Sequence, residues 1–407
     1  MRPLADARAA VIAAMARMSS ETVAVESALN RVTAESVVAP HPIPPFPNSA
    51  MDGYAVIASD VADAPVVLTV NEDVPAGSVP KLEVTPGTAT RIMTGAPMPA
   101  GADAVAMVEI TRTVDADSVE VLESVAEGTA VREAGSDLAP GALIVDAGIR
   151  LTPRHLASIA SASGTVVVAR QPTVAIMSTG DEVVAAETRD LDPGMIRDTN
   201  RPLLRGLLAE LSIPTIDLGI IGDDPDGLRS AYRQAAAAAD IVVSTGGVSM
   251  GDYDYVKQVL GEAGSVEFWK VAMQPAKPFA FGDIDGVPLF GLPGNPVSTF
   301  VAFEQFVRPA LLHMMGAAHI LRPRVRGTMG EDISTSVEKE VFVRVLLADD
   351  NGRFVALRSG GQGSNVLSAL AAADALAVIP VGVGTVSAGD DVMLEMYDWP
   401  ERRGIDD

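Results

Sequence analysis

The sequence predicts an α/β fold combined with β-rich parts, in a chain of more than one domain. Three observations carry this. Between Pro172 and about Leu312, strand-like apolar runs alternate with helix-like segments, the pattern of a mostly parallel sheet covered on both faces. Residues 61–150, and again the stretch from about residue 319 onward, break into short β-like runs punctuated by Pro and Gly. A length of 407 residues, 48% of them hydrophobic, is enough for about two to four domains with substantial cores.

In chain order, residues 4–18 place Leu4, Val11, Met15 and Met18 at helical spacing, which predicts an amphipathic helix, and a second short helix is expected over 21–29. Five prolines in 39–47 exclude helix and central strand and predict an extended linker. It runs into Asn48-Ser49-Ala50-Met51-Asp52-Gly53-Tyr54, which on local features fits an ordinary turn or a functional loop. Runs at 66–70, 89–93, 104–109, 119–122 and 143–145 suggest a small all-β domain, with loops at Thr94-Gly95-Ala96-Pro97 and 99–103. Residues 151–163 look helical. The α/β pattern then opens with a strand at 173–177 and a loop at 178–182. Asp198-Thr199 can cap a helix through Leu211, a strand follows at 215–221, and Asp224 before Pro225 starts a helix ending near Ala239. Strands are expected at 241–244, 266–269, 279–281 and 287–290, and Asn295-Pro296 opens a helix through Leu312 in the same cap-then-proline manner. Near the C-terminus, runs at 341–347 and 354–357 flank the hairpin signal Asp349-Asp350-Asn351-Gly352. A Gly-rich loop at 360–365 with a helix behind it, then runs at 375–379 and 391–396, complete a small barrel or sandwich.

Composition narrows the function. A net charge of −23 disfavours nucleic acid and anionic membrane as partners. No stretch has the apolar length of a membrane span. Arg2, Asp6, Arg8 and Arg17 make the first twenty residues unlike a signal peptide, so a cytoplasmic protein is expected. Zero cysteines remove disulfides, thiolate metal sites and cysteine nucleophiles. The four histidines show no ligand spacing, so any metal would be oxygen-ligated, magnesium or a similar hard cation.

The chemistry concentrates in loops at the expected carboxyl ends of the strands, where ligands of α/β sheets sit. The stretch Ile241 to Asp254 reads as a strand, then Thr245, Gly246, Gly247, Ser249 and Gly251, then a helix capped by Asp252 or Asp254. Small residues there let backbone N–H groups converge on an anion; a bare tight turn is the alternative. Gly291-Leu292-Pro293-Gly294-Asn295-Pro296-Val297-Ser298 repeats the pattern. The loops at 178–182, 222–224, 244–254 and 291–295 together carry Asp181, Glu182, Asp223, Asp224, Asp252 and Asp254. Carboxylates beside an anion-binding backbone make electrostatic sense with a cation between them, the usual magnesium–phosphate arrangement. The alternative is helix capping, above all for Asp224. Lys270 and Lys277 form a cationic set in an acidic chain, or else solvated surface.

Seven stretches resemble, in order, the MoeA-type molybdopterin molybdenumtransferases, the family that includes the gephyrin E domain. They are PPFPNSAMDGYAV at 44–56, RIMTGAPMPAGADAV at 91–105, VREAGSDLAPG at 131–141, STGDE at 178–182, IRDTNRPLL at 196–204, STGGVSMGDYDYVK at 244–257 and GLPGNPVS at 291–298. The resemblance implies four subdomains: an elongated helical part over 1–46 and 138–170, an inserted β domain over 47–137, a three-layer α/β molybdopterin-binding domain over 171–318, and a C-terminal β-barrel over 319–407. It implies insertion of molybdate into adenylylated molybdopterin with release of AMP, a need for Mg2+, a homodimer whose site is shared between protomers, and a molybdopterin adenylyltransferase as upstream partner. Carried onto this chain, the catalytic acids are Asp52, Glu182, Asp223 and Asp254, with Glu182, Asp223 and Asp254 holding the metal and Asp52 reaching in from the partner chain. The pterin phosphate would rest on Thr245, Gly246, Gly247 and Ser249 and on Pro293, Asn295 and Pro296. The oxyanion would meet Lys277, Ser298, Arg344 and Ser364, with Thr94 and Lys270 in the wider binding set. The family's K-P-x-K pattern reads Gln274-Pro275-Ala276-Lys277 here. Two rival readings are an adenylyltransferase, which shares the glycine loop, and a non-enzymatic scaffold.

Overall fold

The computed structural model of the chain describes residues 1–247, 259, 261 and 264–397. Four apolar runs, Val174–Thr179, Thr215–Ile221, Ile241–Thr245 and Val287–Leu292, form the parallel part of a six-stranded sheet. The strand order is 215–221, 174–179, 241–245, 287–292, 278–284, 267–270. Val174–Thr179 and Ile241–Thr245 are buried along their whole length because both faces are covered. Alternate side chains divide between two cores. Val174, Ile176 and Val243 face Leu204, Leu208 and Phe303, while Ala175, Met177 and Val242 face Leu228, Tyr232 and Ala235.

The sheet is not parallel throughout. Pro278–Ile284 and Val287–Leu292 are joined by Asp285-Gly286, both at positive φ (51° and 81°), and so run antiparallel, with Glu267–Lys270 antiparallel at the edge. An Asp-Gly pair between apolar runs is a two-residue hairpin turn, and it overrides the crossover pattern here.

The helices that cover the sheet start where the caps dictate. Asp224 Oδ2 accepts from Gly227 N at 2.7 Å and begins Pro225–Ala238. Asp198 Oδ1 accepts from the N–H groups of Asn200 (3.0 Å) and Arg201 (3.1 Å) and begins Asn200–Glu210. Behind Asn295, one continuous helix runs through Pro296–Ala302, a π turn at Phe303–Val307 and Arg308–Met314.

The N-terminal helix spans Leu4–Ala14 and buries Leu4, Ala7 and Val11 in the same core as Leu311 and Met314. No helix forms over 21–29. Ser20–Ala24 is a strand paired antiparallel with Thr165–Ala169, followed by one 3-10 turn at Val25–Ser27. Tertiary pairing of the β-branched Thr22 and Val23 overrides the weak helical pattern. The proline stretch is anchored, since Val37–Val38 pairs with Leu143–Val145 and Ile43 bridges Leu138. Pro153–Ala160 is the next helix, with a capping box from Thr152 and His155.

Six strands between Gly53 and Val121 form a second sheet around Tyr54, Leu68, Ala104 and Val119. In the C-terminal part, Glu340–Asp350, Arg353–Arg358, Arg324–Met329, Asp391–Met396 and Ala375–Ile379 pair in that order, and the last returns to the first, a closed five-stranded barrel rather than a sandwich. Asn351 and Gly352, at φ 53° and 81°, make its hairpin turn. Met273–Gln274, from the α/β part, adds a short parallel strand beside Glu340–Val341. Among the described residues no helix is long and apolar enough to cross a membrane.

Candidate functional site

The carboxyl ends of the parallel strands open into a cleft of about 780 Å³. Its floor follows from glycine geometry. Gly246 and Gly247 have φ of 93° and 65°, and a Cβ at Gly246 would lie 2.6 Å from the Thr179 carbonyl oxygen. Only glycine lets this loop lie against the neighbouring strand end. The second loop is held by Thr299 Oγ1, which donates to Pro293 O at 2.6 Å, and by Asn200 Nδ2, which donates to Gly294 O at 2.8 Å. Gly246 N is taken by Leu292 O, and Val297 N by Ser364 O. Pro293 and Pro296 have no N–H to give. Among the described residues no backbone carbonyl accepts from the N–H groups of Gly247, Gly294 and Asn295.

On the opposite side, the Glu182 carboxylate folds back over Gly180 (φ 133°), where any Cβ would overlap it. Asp223 N donates to Asp181 Oδ1 at 2.9 Å, and Asp181 N to Asp223 Oδ2 at 3.4 Å, tying the 178–182 and 222–224 loops together. Asp224 is a helix cap, the alternative weighed for it. Glu182 and Asp223 both line the cleft. Among the described residues no three His, Cys, Asp or Glu side chains are grouped to hold a metal. Ser249, Asp252 and Asp254 lie outside the described residues.

The barrel closes one rim. Asn295 Nδ2 donates to Ser364 Oγ at 3.1 Å, seating the 360–365 loop on the start of the Pro296 helix. Arg344 stands behind that loop, 0% exposed, donating through Nη2 to Gly361 O (2.8 Å) and Gly363 O (3.1 Å). Burial holds its guanidinium below the usual range, and its Nε has no partner among the described residues. Arg344 thus braces the loop; the resemblance implied an oxyanion contact for it. Ser298 is buried in the first turn of the Pro296 helix. Lys277 is exposed beside Pro278, which lines the cleft, and Gln274 is exposed on its short strand.

The structure brings Glu182, Asp223, Thr245, Gly246, Gly247, Pro293, Asn295 and Pro296 to one cleft, with Ser364 at its rim. It does not bring Asp52, Thr94 or Lys270 there within one chain. Asp52 borders a separate cleft of about 560 Å³ in the second sheet, with Asp73 and Arg91. It accepts from Thr94 N and Thr94 Oγ1, both at 2.7 Å, and these bonds hold its carboxyl below the usual carboxylate range. Lys270 sits on the edge strand, its carbonyl accepting from Arg2 N.

Sequence reasoning missed a buried polar set at the strand ends. Ser178 Oγ lies 3.0 Å from Asp198 Oδ1 and 3.1 Å from Thr245 Oγ1. Arg201 Nη1 donates to Asp198 Oδ2 at 3.1 Å, and its Nε and Nη2 make a fork with Asp217 at 2.7 and 3.0 Å. Asn200, 8% exposed, has an Oδ1 with no partner among the described residues. A buried acceptor left so costs on the order of 1–3 kcal/mol. The available signal was Ser178-Thr179 ending an apolar strand opposite the Asp198 cap.

Three family descriptions match the chain: MoeA N-terminal region (domain I and II) over residues 2–163, probable molybdopterin binding domain over 175–313, and MoeA C-terminal region (domain IV) over 326–396. A Haemophilus influenzae protein named molybdopterin molybdenumtransferase is 36% identical over 382 residues, 93% of this chain and 94% of that protein. A Mycobacterium tuberculosis protein named molybdopterin molybdenumtransferase 2 is 37% identical over 411 residues, 98% of this chain and all of that one (100%). The crystal structure of a molybdopterin biosynthesis MoeA protein from Pyrococcus horikoshii OT3 superposes with a TM-score of 0.80 at 30% identity, covering 98% of this chain and 100% of that chain.

Proposed function

The chain belongs to the MoeA family of molybdopterin molybdenumtransferases, enzymes of molybdenum cofactor biosynthesis, and on that premise we propose that its strand-end cleft takes adenylylated molybdopterin and molybdate, inserts the metal and releases AMP. One observation carries the reading: the loop residues Gly246, Gly247, Gly294 and Asn295 share a cleft with the carboxylates of Glu182 and Asp223. That pairing suits a phosphate and a hard cation together.

Two carboxylates plus substrate phosphate oxygens are a sufficient donor set for Mg2+. Glu182 and Asp223 would hold it, with Asp254 as a third ligand by family resemblance. When bound it neutralises phosphate charge as the P–O bond breaks. The chain's own groups bind and orient. The backbone N–H groups take the pterin phosphate. Lys277, Ser298 and Ser364 supply donors for the tetrahedral molybdate dianion, with Arg344 holding the Ser364 loop in place. Asp52, remote within its own chain, is supplied by the second protomer of a homodimer. An upstream adenylyltransferase that makes the substrate, a cytoplasmic location and the division at 1–46 with 138–170, 47–137, 171–318 and 319–407 belong to the same proposal.

The test is purified protein with adenylylated molybdopterin, with and without molybdate. AMP release only when molybdate is present is the expected result. Consumption of ATP with molybdopterin, and no molybdate-dependent AMP, would replace this reading with an adenylyltransferase.

A further inference from the structure

Asp198, 4% exposed, fixes the direction of a hydroxyl relay at the strand ends. A carboxylate oxygen only accepts, so Ser178 gives its single hydroxyl hydrogen to Asp198 Oδ1. Thr245, 3.1 Å from Ser178 Oγ, must then donate its own hydrogen to Ser178. The Thr245 hydroxyl is left with lone pairs alone. Thr245 lines the cleft while only 1% exposed, so a group that reaches its hydroxyl meets an acceptor.

Asn200 lines the same cleft and gives the same sign. Its Nδ2 is committed to Gly294 O, which can only accept, and this settles which way the amide faces. Oδ1 is left buried and without a partner among the described residues. It too calls for a donor.

We propose that Thr245 Oγ1 and Asn200 Oδ1 form an acceptor-only wall that selects a ligand edge bearing N–H donors, the amide-and-amine edge of a pyrimidinone ring. Phosphate oxygens are themselves acceptors and are turned away from this wall toward the N–H groups of Gly247, Gly294 and Asn295. The proposal rests on the reading of the cleft as a molybdopterin site, and it orients that substrate: ring edge on the hydroxyl and amide, phosphate on the glycine loops. Asp198 and Ser178 touch no ligand in this scheme. They are positioning residues that hold the Thr245 hydrogen away from the cleft.

Two probes differ in one donor only. 6-Hydroxymethylpterin carries a 2-amino group, and its 2-desamino analogue, 6-hydroxymethylpteridin-4(3H)-one, has hydrogen there with N1 and N3–H unchanged. In fluorescence titrations the wild-type protein is expected to bind the pterin at least about fivefold more tightly. Ser178→Ala frees the Thr245 hydroxyl to turn either way, so the ratio should fall toward one while pterin binding persists. Asn200→Leu should lose the preference, and serves if Ser178→Ala does not fold. A purely structural role for these residues would weaken both probes alike and leave the ratio unmoved. Equal binding of both probes by wild type, or a full ratio in Ser178→Ala, overturns the proposal. Molybdate-dependent AMP release without any pterin preference removes only the acceptor wall. The preference without such release supports the wall and removes only the reaction proposed above.

Discussion

The two carboxylates at the mouth of the cleft contribute little to packing, and that makes them separable from the fold. Asp223→Asn keeps the shape of the side chain and removes its charge. AMP release is expected to fall at least about tenfold, with the melting curve shifted by no more than about 0.5 kcal/mol of stability. An unchanged rate at saturating Mg2+ would remove Asp223 from the metal site. Gln274 is the second informative residue. It is exposed, at the end of the short strand Met273–Gln274. An amide donates to an oxyanion but brings no charge, and replacing it with a charged donor is worth roughly 1 kcal/mol, about fivefold in affinity. Gln274→Lys should lower the molybdate concentration for half-maximal AMP release by about that factor, more at low ionic strength. Superimposable titrations at two salt concentrations would mean that position 274 does not face the oxyanion. Arg344 shows what a residue's identity hides. The family resemblance implied a ligand contact for it, and the fold adds the two loop carbonyls it serves.

At the scale of elements, the strand-end architecture was readable because its signals are local. Asp224-Pro225, Asn295-Pro296 and the Asp349–Gly352 turn each fix a boundary through backbone chemistry, and the structure places helices and a hairpin there. The 21–29 segment was misread because its pairing partner lies more than a hundred residues away, at Thr165–Ala169, and no local pattern reports that. The relay at Ser178, Asp198 and Thr245 escaped for the same reason, since hydrophobic periodicity carries no information about which polar groups meet. The helix begun by Asp198 is also tied to the edge strand through Arg201 and Asp217. Burial pushes the Asp217 carboxyl up, but its bonds from Arg201 and from Gly219 N outweigh this and hold it below its ordinary value of 3.8. A depressed carboxyl stabilises the fold above its unfolded pKa, and that stability is lost as pH falls through the folded one. The melting-temperature gap between wild type and Asp217→Asn should therefore be full near neutral pH and close as pH drops below about 4. A gap that stays constant in acid would show that the fork contributes through shape and not charge.

At the scale of the molecule, the cleft holds Glu182 and Asp223 while Asp52 stands elsewhere in the same chain. If two protomers complete each other's sites, inactive Asp52→Ala and inactive Asp223→Asn proteins should regain activity when mixed, because one of the two sites in a mixed dimer is whole. The recovered rate should approach about a quarter of wild type at equal mixing with random exchange. No recovery despite demonstrated subunit exchange would count against a shared site. The helix behind Asn295 binds the rest of the molecule together. Its first part packs against Asn200–Glu210 and Leu367–Ala372, its last against Leu4–Ala14. Between them, Glu304 meets Arg322, and Gln305 Nε2 donates to Glu395 Oε1 at 2.6 Å. The π turn at Phe303–Val307 adds one residue to the regular winding. It acts as a phase adjustment of about 100° between two halves of one rod, letting each half address its own neighbours. Wound as a regular α-helix, the same residues would turn Arg308–Met314 away from the N-terminal helix, whereas deleting Gln305 removes the extra residue with the π turn and keeps both halves in phase, so in thermal melting the deletion should cost little more stability than Gln305→Ala.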